Sequence, residues 1–302
     1  MSPNKYGKVA VLLGGESNER EISIKSGKAV FEALQSCKID CFLIDPKIDS
    51  LDLIKKSDRA FICLHGRDGE DGKIQTYLDK INIPYTGSDA KSSKLGMDKF
   101  LSKSLWNSKG VKTPAFIKID SEKSFKYVEQ KLKLPFFLKP ANSGSSLGIS
   151  KIFNESQFYE SFNEAYKIDS MVIGEAMVDG REFTIPILNN IPLSILEIRT
   201  RTDFYDYEAK YLRDDTEFVR PTDLNESLIS TINKLSIESF NLLGCSGWGR
   251  VDLMIDNNGN IFIIEVNTIP GMTSHSLVPL SASYSGISFK DLVLSILDTS
   301  YA

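Results

Sequence analysis

The feature that most constrains this chain is the stretch from Arg250 to Asn267, where a hairpin can be written down residue by residue. Asn258-Gly259 is a strong two-residue turn signal of type I′, which pairs Asn257 with Asn260 and, further out, Asp252 with Glu265 and Arg250 with Asn267. On the opposite face the same register aligns Val251 with Val266, Leu253 with Ile264 and Ile255 with Phe262, a wholly apolar side that must be buried. Two carboxylates directly across a ladder repel unless a cation lies between them, and oxygen ligands at this spacing suit Mg²⁺. The same acids also fit a solvated sheet face with Arg250 as counter-ion, and the register alone does not choose between the two.

The chain around this hairpin is long enough for two or three compact domains: 302 residues, 41% apolar and 25% charged. A formal net charge of -4 with no long single-sign run offers no landing site to nucleic acid or to an anionic membrane. The first residues lack a signal-peptide pattern and no apolar run approaches membrane-spanning length, so a cytoplasmic protein is expected. Cys37, Cys41, Cys63 and Cys245 form no CxxC pair and read as reduced thiols that fill core space.

Lys8 to Leu13 is an apolar run ending in Gly14-Gly15, followed by an amphipathic helix through Leu34. Short strands at Cys41–Ile44 and Ala60–Leu64 extend this into a parallel sheet. The spaced G-x-G-x-x-G fingerprint is missing, which argues against a nicotinamide cofactor. The segment His65 to Gly72, polar and punctuated by glycine, leaves the carboxyl end of a strand, where open α/β sheets hold their ligands. One long helical stretch is expected from about Ser88 to Ser108. Extended segments then dominate, with Asn189-Asn190 as a hairpin turn, so the middle of the chain is α+β. Boundaries near Met97 and Arg181 give expected domains 1–97, 98–180 and 181–302.

Three loops carry polar chemistry. Lys139 to Gly148 places small and hydroxyl residues between two strand-like segments, which suits a strand-loop-strand cover over phosphates with Lys139 as a point charge. It is not a P-loop, since no GK[ST] follows, and alone it also reads as an ordinary turn. Phe204 to Tyr211 has neither period and suggests a functional loop, or tyrosines packing locally. Ile269 to Ser276 follows the carboxylate hairpin directly, near any metal-bound phosphate.

Taken in order, these segments resemble the D-alanine–D-alanine ligase family of the ATP-grasp superfamily, nearly end to end. The resemblance rests on Leu12-Leu13-Gly14-Gly15 with Ser17 and Glu19-Arg20-Glu21, Leu64-His65-Gly66-Arg67 with Gly69-Glu70-Asp71-Gly72, and Pro84-Tyr85-Thr86-Gly87-Ser88. It continues through Met97-Asp98-Lys99, Lys139-Pro140, Gly144-Ser145-Ser146 and Tyr205-Asp206-Tyr207-Glu208-Ala209-Lys210-Tyr211. Gly247-Trp248-Gly249-Arg250-Val251-Asp252, Glu265-Val266-Asn267 and Pro270 to Pro279 complete it.

The resemblance implies a three-domain ATP-grasp architecture, α/β and α+β, in which a Rossmann-like parallel-sheet domain precedes two domains whose antiparallel sheets sandwich ATP. It implies ligation of two D-alanine molecules through D-alanyl phosphate, for peptidoglycan precursor synthesis, by a homodimer. Lys99, Lys139 and Ser146 would hold phosphates, Glu175 and Glu182 the adenine and ribose side, and Asp252, Glu265 and Asn267 two Mg²⁺ ions, with Mn²⁺ as a substitute. Glu19 would anchor the first ammonium, and Arg250 with the Gly271 backbone would stabilise the oxyanion. Ser276 and Leu277 would grip the second carboxylate, while Ser145 and Tyr211, the latter on a mobile loop over 199–216, would link to Glu19. His65, Glu70 and Lys210 would support substrate binding. The chain departs from the family pattern at Gly174-Glu175-Ala176-Met177, where a bulkier, more basic segment is common, and this bears on the adenine pocket. The rival activities are another carboxylate-amine ligation or D-alanyl-D-lactate synthesis, and, from another class, a silent nucleotide-binding regulator. The regulator would be expected to lack a metal carboxylate.

Overall fold

The computed structural model describes residues 3–120, 124–144, 147–200 and 216–301. Three sheets organise them. The first is parallel: β1 (Val9–Leu12) lies between β2 (Cys41–Ile44) and β3 (Arg59–Ile62), with α1 (Arg20–Ser36) connecting β1 to β2 and α2 (Lys73–Lys80) following β3. All four β1 residues are fully buried, as expected of a parallel strand covered on both faces.

The helical stretch after this sheet is two helices rather than one, α3 (Ala90–Met97) and α4 (Lys99–Ser108). Asp98 is the reason for the break. Its backbone is extended and its side chain accepts from the Leu101 N–H, so it stops one helix and caps the next. Lys99 thereby sits in the first turn of α4, aimed by a cap.

A four-stranded antiparallel sheet follows, in the order β4 (Phe116–Ile119), β7 (Val172–Ala176), β5 (Phe136–Pro140) and β6 (Ser150–Ile152). Helices α5 (Phe125–Leu132) and α6 (Glu155–Ile168) cover one face through Phe125, Val128, Leu132 and Phe158. β5 and β6 pair Phe136 with Ile152 and Leu138 with Ser150, so the two segments flanking the Lys139 stretch are adjacent antiparallel strands, as expected.

The largest sheet has six strands. Its path runs β11 (Glu217–Val219), β10 (Leu196–Arg199), β8 (Gly180–Leu188), β12 (Trp248–Asp256) and β13 (Ile261–Asn267), and β9 (Ile191–Pro192) also pairs with β8. The β8–β9 turn is Asn189-Asn190, both at positive φ, the conformation for which asparagine is suited. Helix α7 (Glu226–Leu242) and Trp106 from α4 pack on its apolar face.

The β12–β13 hairpin corrects the expected register in one half and retains it in the other. The outer pairs are Arg250 with Asn267, Val251 with Val266 and Asp252 with Glu265, as expected. The turn, however, has three residues: the Gly259 N–H donates to the Asp256 carbonyl, and only Gly259 takes a positive φ, in place of the two-residue type I′ turn. The inner pairs are therefore Leu253 with Ile263, Met254 with Phe262 and Ile255 with Ile261. A bulge beside Asp252 restores the outer register. In consequence Ile261 and Ile263, not Phe262 and Ile264, join Leu253 and Ile255 in the core. Ile264 faces the site instead.

The last helices, α8 (Leu277–Tyr284) and α9 (Phe289–Asp298), return to the first sheet. Leu292, Val293, Ile296 and Leu297 share one core with Val9, Val11, Val30 and Leu34. All four cysteines are free thiols, Cys63 and Cys245 buried and Cys37 and Cys41 half-buried. Among the described residues, no helix is long and apolar enough to cross a membrane.

Candidate active site

The two antiparallel sheets meet over a pocket lined by Pro114, Phe137, Ile149, Ala176, Val178, Met254 and Ile264, and by Lys99, Lys139, Glu175, Glu182, Asp252 and Glu265. Apolar side chains from both sheets suit the faces of a flat base. The lysines and carboxylates suit phosphates with their counter-ions.

At the charged end the alternative of a solvated sheet face fails, because Asp252 is only 6% exposed. Its oxygens are held on every side. Arg250 donates from Nε at 2.8 Å and from Nη2 at 2.7 Å, the Asn267 amide donates at 3.0 Å, and Thr184 Oγ1 lies 2.5 Å away. Glu265 faces Lys99 Nζ at 3.3 Å, and the same ammonium donates to the Ser143 carbonyl at 2.7 Å. The expected metal ligands thus converge, with Arg250 and Lys99 answering the mutual repulsion of the acids. Two carboxylates and an amide oxygen on one ribbon are an all-oxygen donor set of the kind that fits Mg²⁺.

Deeper in the pocket Glu175 is held by two ammonium groups, Lys139 on Oε1 at 2.5 Å and Lys103 on Oε2 at 2.6 Å. Burial raises its carboxyl pKa, but the two lysines outweigh that and hold it down at about 2. Lys103 escaped the sequence reading. The available signal was its place one helical turn beyond Lys99, on a stripe otherwise expected to be buried.

A second group lies at the carboxyl ends of β1 and β3. Glu19 is the residue before α1, and its carboxylate rests against Gly66 and Gly144, where an added Cβ would come within 2.9 and 2.6 Å of Oε1. His65 is buried and contacts the Ile269 carbonyl through Nδ1 at 2.8 Å and Ser26 Oγ through Nε2 at 3.0 Å. Burial lowers its pKa, so the neutral ring donates from Nδ1 and accepts at Nε2. Ser26 Oγ accepts in turn from the Met272 N–H at 3.0 Å. Bonds from the first sheet's elements therefore bracket Pro270-Gly271. Ser26 too was missed, although it lies two helical turns after Glu19. Glu70 is buried, and its pKa is pushed well above the carboxylate range first by burial and then by Glu19, with Glu265 adding and Arg250 opposing.

Ser276 precedes α8 and does not cap it; its hydroxyl instead accepts from the Thr273 N–H at 2.9 Å, beside Gly271. The Leu277 side chain packs with Leu196 and Ile198, so only its main chain is left to meet a polar ligand. Ser145, Ser146, Lys210 and Tyr211 lie outside the described residues.

Antiparallel sheets closing on a pocket with this distribution of lysines and carboxylates define an ATP-grasp ligase. Residues 46–88 match the family model described as D-ala D-ala ligase N-terminus, and residues 105–298 the one described as D-ala D-ala ligase C-terminus. The D-alanine–D-alanine ligase of Nitrosomonas eutropha is 44% identical over 302 residues, 99% of each chain, and that of Nitrosospira multiformis 45% over 294 residues, 97% of this chain and 96% of its own. The Bacillus anthracis D-alanine–D-alanine ligase complexed with ATP superposes with a TM-score of 0.86 at 32% identity, covering 98% of this chain and 97% of that one. A D-Ala:D-Ser ligase from Enterococcus faecalis gives 0.86 at 29%, covering 98% and 100%. The chain belongs to the D-alanine–D-alanine ligase family.

Proposed function

We propose that this protein joins two D-alanine molecules at the expense of ATP, releasing D-alanyl-D-alanine, ADP and phosphate. The observation that carries the reading is the pocket between two sheets, apolar along its walls and ending in Lys99, Lys139, Asp252 and Glu265.

A carboxylate is a poor acyl donor, so the first D-alanine must be activated, and transfer of the γ-phosphoryl group to it gives D-alanyl phosphate. Lys99 and Lys139 bind the phosphates and Ser146 adds a hydroxyl, while Glu175 and Glu182 take the adenine and ribose. Asp252, Glu265 and Asn267 would hold two Mg²⁺ ions, or Mn²⁺ in their place, which draw negative charge off the transferring group when bound. Glu19 anchors the first ammonium, with His65, Glu70 and Lys210 as supports. Arg250 and the Gly271 N–H meet the oxygen that becomes negative in the tetrahedral intermediate. Ser276 and the Leu277 main chain orient the second carboxylate.

The second D-alanine attacks as a free amine, whose pKa of about 8 leaves it mostly protonated near neutrality, so a proton must be removed. Tyr211, through the expected network with Ser145 and Glu19, or the departing phosphate would take it, and the presence of Tyr211 favours an amine over a hydroxyl as nucleophile. A cytoplasmic homodimer supplying peptidoglycan precursors is the setting that fits, with domains 1–97, 98–180 and 181–302.

The test is D-alanine-dependent ADP release with Mg²⁺, read together with dipeptide formation. Folded protein that makes no dipeptide removes the proposal. Competition of D-alanine with D-lactate and D-serine decides the second substrate, and D-alanine is expected to win.

A further inference from the structure

Lys103 is 1% exposed, carries a charge into a protein interior, and has no part in the mechanism above. Its ammonium is 2.6 Å from Glu175 Oε2 and donates to Thr113 Oγ1 at 2.7 Å. A lysine is buried this completely only against a partner that compensates it, and here the partner lines the nucleotide pocket.

Glu175 has two cations in the structure, but they are not equivalent. Lys139 is 8% exposed and lines the pocket, and the phosphate-binding role given to it above would draw its ammonium off Glu175. Lys103 lines no part of the pocket and is tethered to Thr113 as well, so it stays. When nucleotide is bound, Lys103 is the cation left to Glu175.

What it preserves is the carboxylate's character as a pure acceptor. An ionised carboxyl accepts from an exocyclic amino group and repels a carbonyl oxygen, whereas a protonated one can donate to that carbonyl. Adenine presents an amino group where hypoxanthine presents a carbonyl. We propose that Lys103 is a specificity-determining positioning residue, which through Glu175 makes the pocket prefer 6-aminopurine over 6-oxopurine nucleotides. The proposal rests on the nucleotide reading of this pocket and adds to it the group that sets base selectivity.

The test is the ratio of ITP to ATP dissociation constants, measured by titration calorimetry without D-alanine, so that turnover plays no part. The wild-type protein is expected to prefer ATP by about ten- to a hundredfold, the range of one hydrogen bond to a charged group gained or lost. Lys103→Met is expected to bring that preference below about threefold while ATP still binds. Lys103→Met leaves a buried carboxylate with one cation fewer and can fail to fold, so Glu175→Gln is compared with the Glu175→Gln/Lys103→Met double variant. The amide removes the need for a counter-ion, so the two should show the same ratio. A wild type indifferent to the base, a Lys103→Met protein that discriminates as the wild type does, or a ratio differing by more than about threefold between the Glu175→Gln proteins overturns the proposal. Absence of any ATP affinity in the wild type would instead remove the ligase reading itself.

Discussion

Gly144 turns its bare Cα toward the carboxylate of Glu19, so closely that a methyl group there would come within 2.6 Å of Oε1. The loop after β5 and the residue that precedes α1, more than a hundred positions apart in the chain, are thus fitted to each other through a missing side chain. Gly144→Ala should push Glu19 aside and raise the KM for D-alanine about ten- to a hundredfold, the cost of misplacing a positioning group by about 1 Å. The KM for ATP should stay within about twofold, since Glu19 is not among the residues lining the nucleotide pocket. Steady-state kinetics in each substrate separates the two; an equal rise in both would contradict the placement.

Glu265→Gln keeps the shape of the β12–β13 ribbon and removes one of its two facing charges. Turnover should fall on the order of a hundredfold or more, as expected when charge stabilisation at a phosphoryl group is withdrawn. The melting temperature should move by less than about 3 °C, because Glu265 is half-buried on the pocket side rather than in a core. Undiminished activity of this variant would remove the metal assignment.

Glu175 should leave a signature in acid. Its folded pKa of about 2 lies below the ordinary 4.5, so its stabilisation is complete above the ordinary value and is lost as pH falls toward the folded one. The difference corresponds to a stabilisation on the order of 3 kcal/mol. Denaturant titrations between about pH 6 and pH 3 should show it, and Glu175→Gln should have a flatter acid limb than the wild type. Parallel limbs would mean that the lysine pair does not hold the carboxylate as described.

Ser26→Ala deletes the acceptor for the Met272 N–H and the donor to His65 in one step. Loss of these bonds should cost about 1–3 kcal/mol of stability, as for other buried groups left unpaired. If the bonds also aim the Gly271 N–H, turnover should fall at least about tenfold while ATP affinity by calorimetry is unchanged. A destabilised enzyme with full turnover would reduce the network to a structural one.

Much of this is legible in the sequence itself. The parallel strands, the two strands flanking the Lys139 stretch and the pairing of Asp252 with Glu265 follow from period and turn chemistry, which act locally. The inner half of the hairpin is not, since a three-residue turn and a bulge each shift the register by one and cancel by the time Asp252 is reached. Lys103 and Ser26 are harder to read for another reason. Helical spacing from Lys99 and Glu19 marks the face they share but not their partners, since Glu175 and Met272 lie far along the sequence.

Leu292, Val293, Ile296 and Leu297 of α9 occupy the same core as Val9 and Val30, so the sheet that carries Glu19 is completed by residues near the other end of the chain. On the ribosome, that first sheet emerges early with an apolar flank that nothing yet covers. Its final packing must wait for the closing helices, and the same dependence makes the amino-terminal third, cut free, a poor candidate for independent expression. The surroundings of Glu19 thus rest on packing between segments far apart in the sequence.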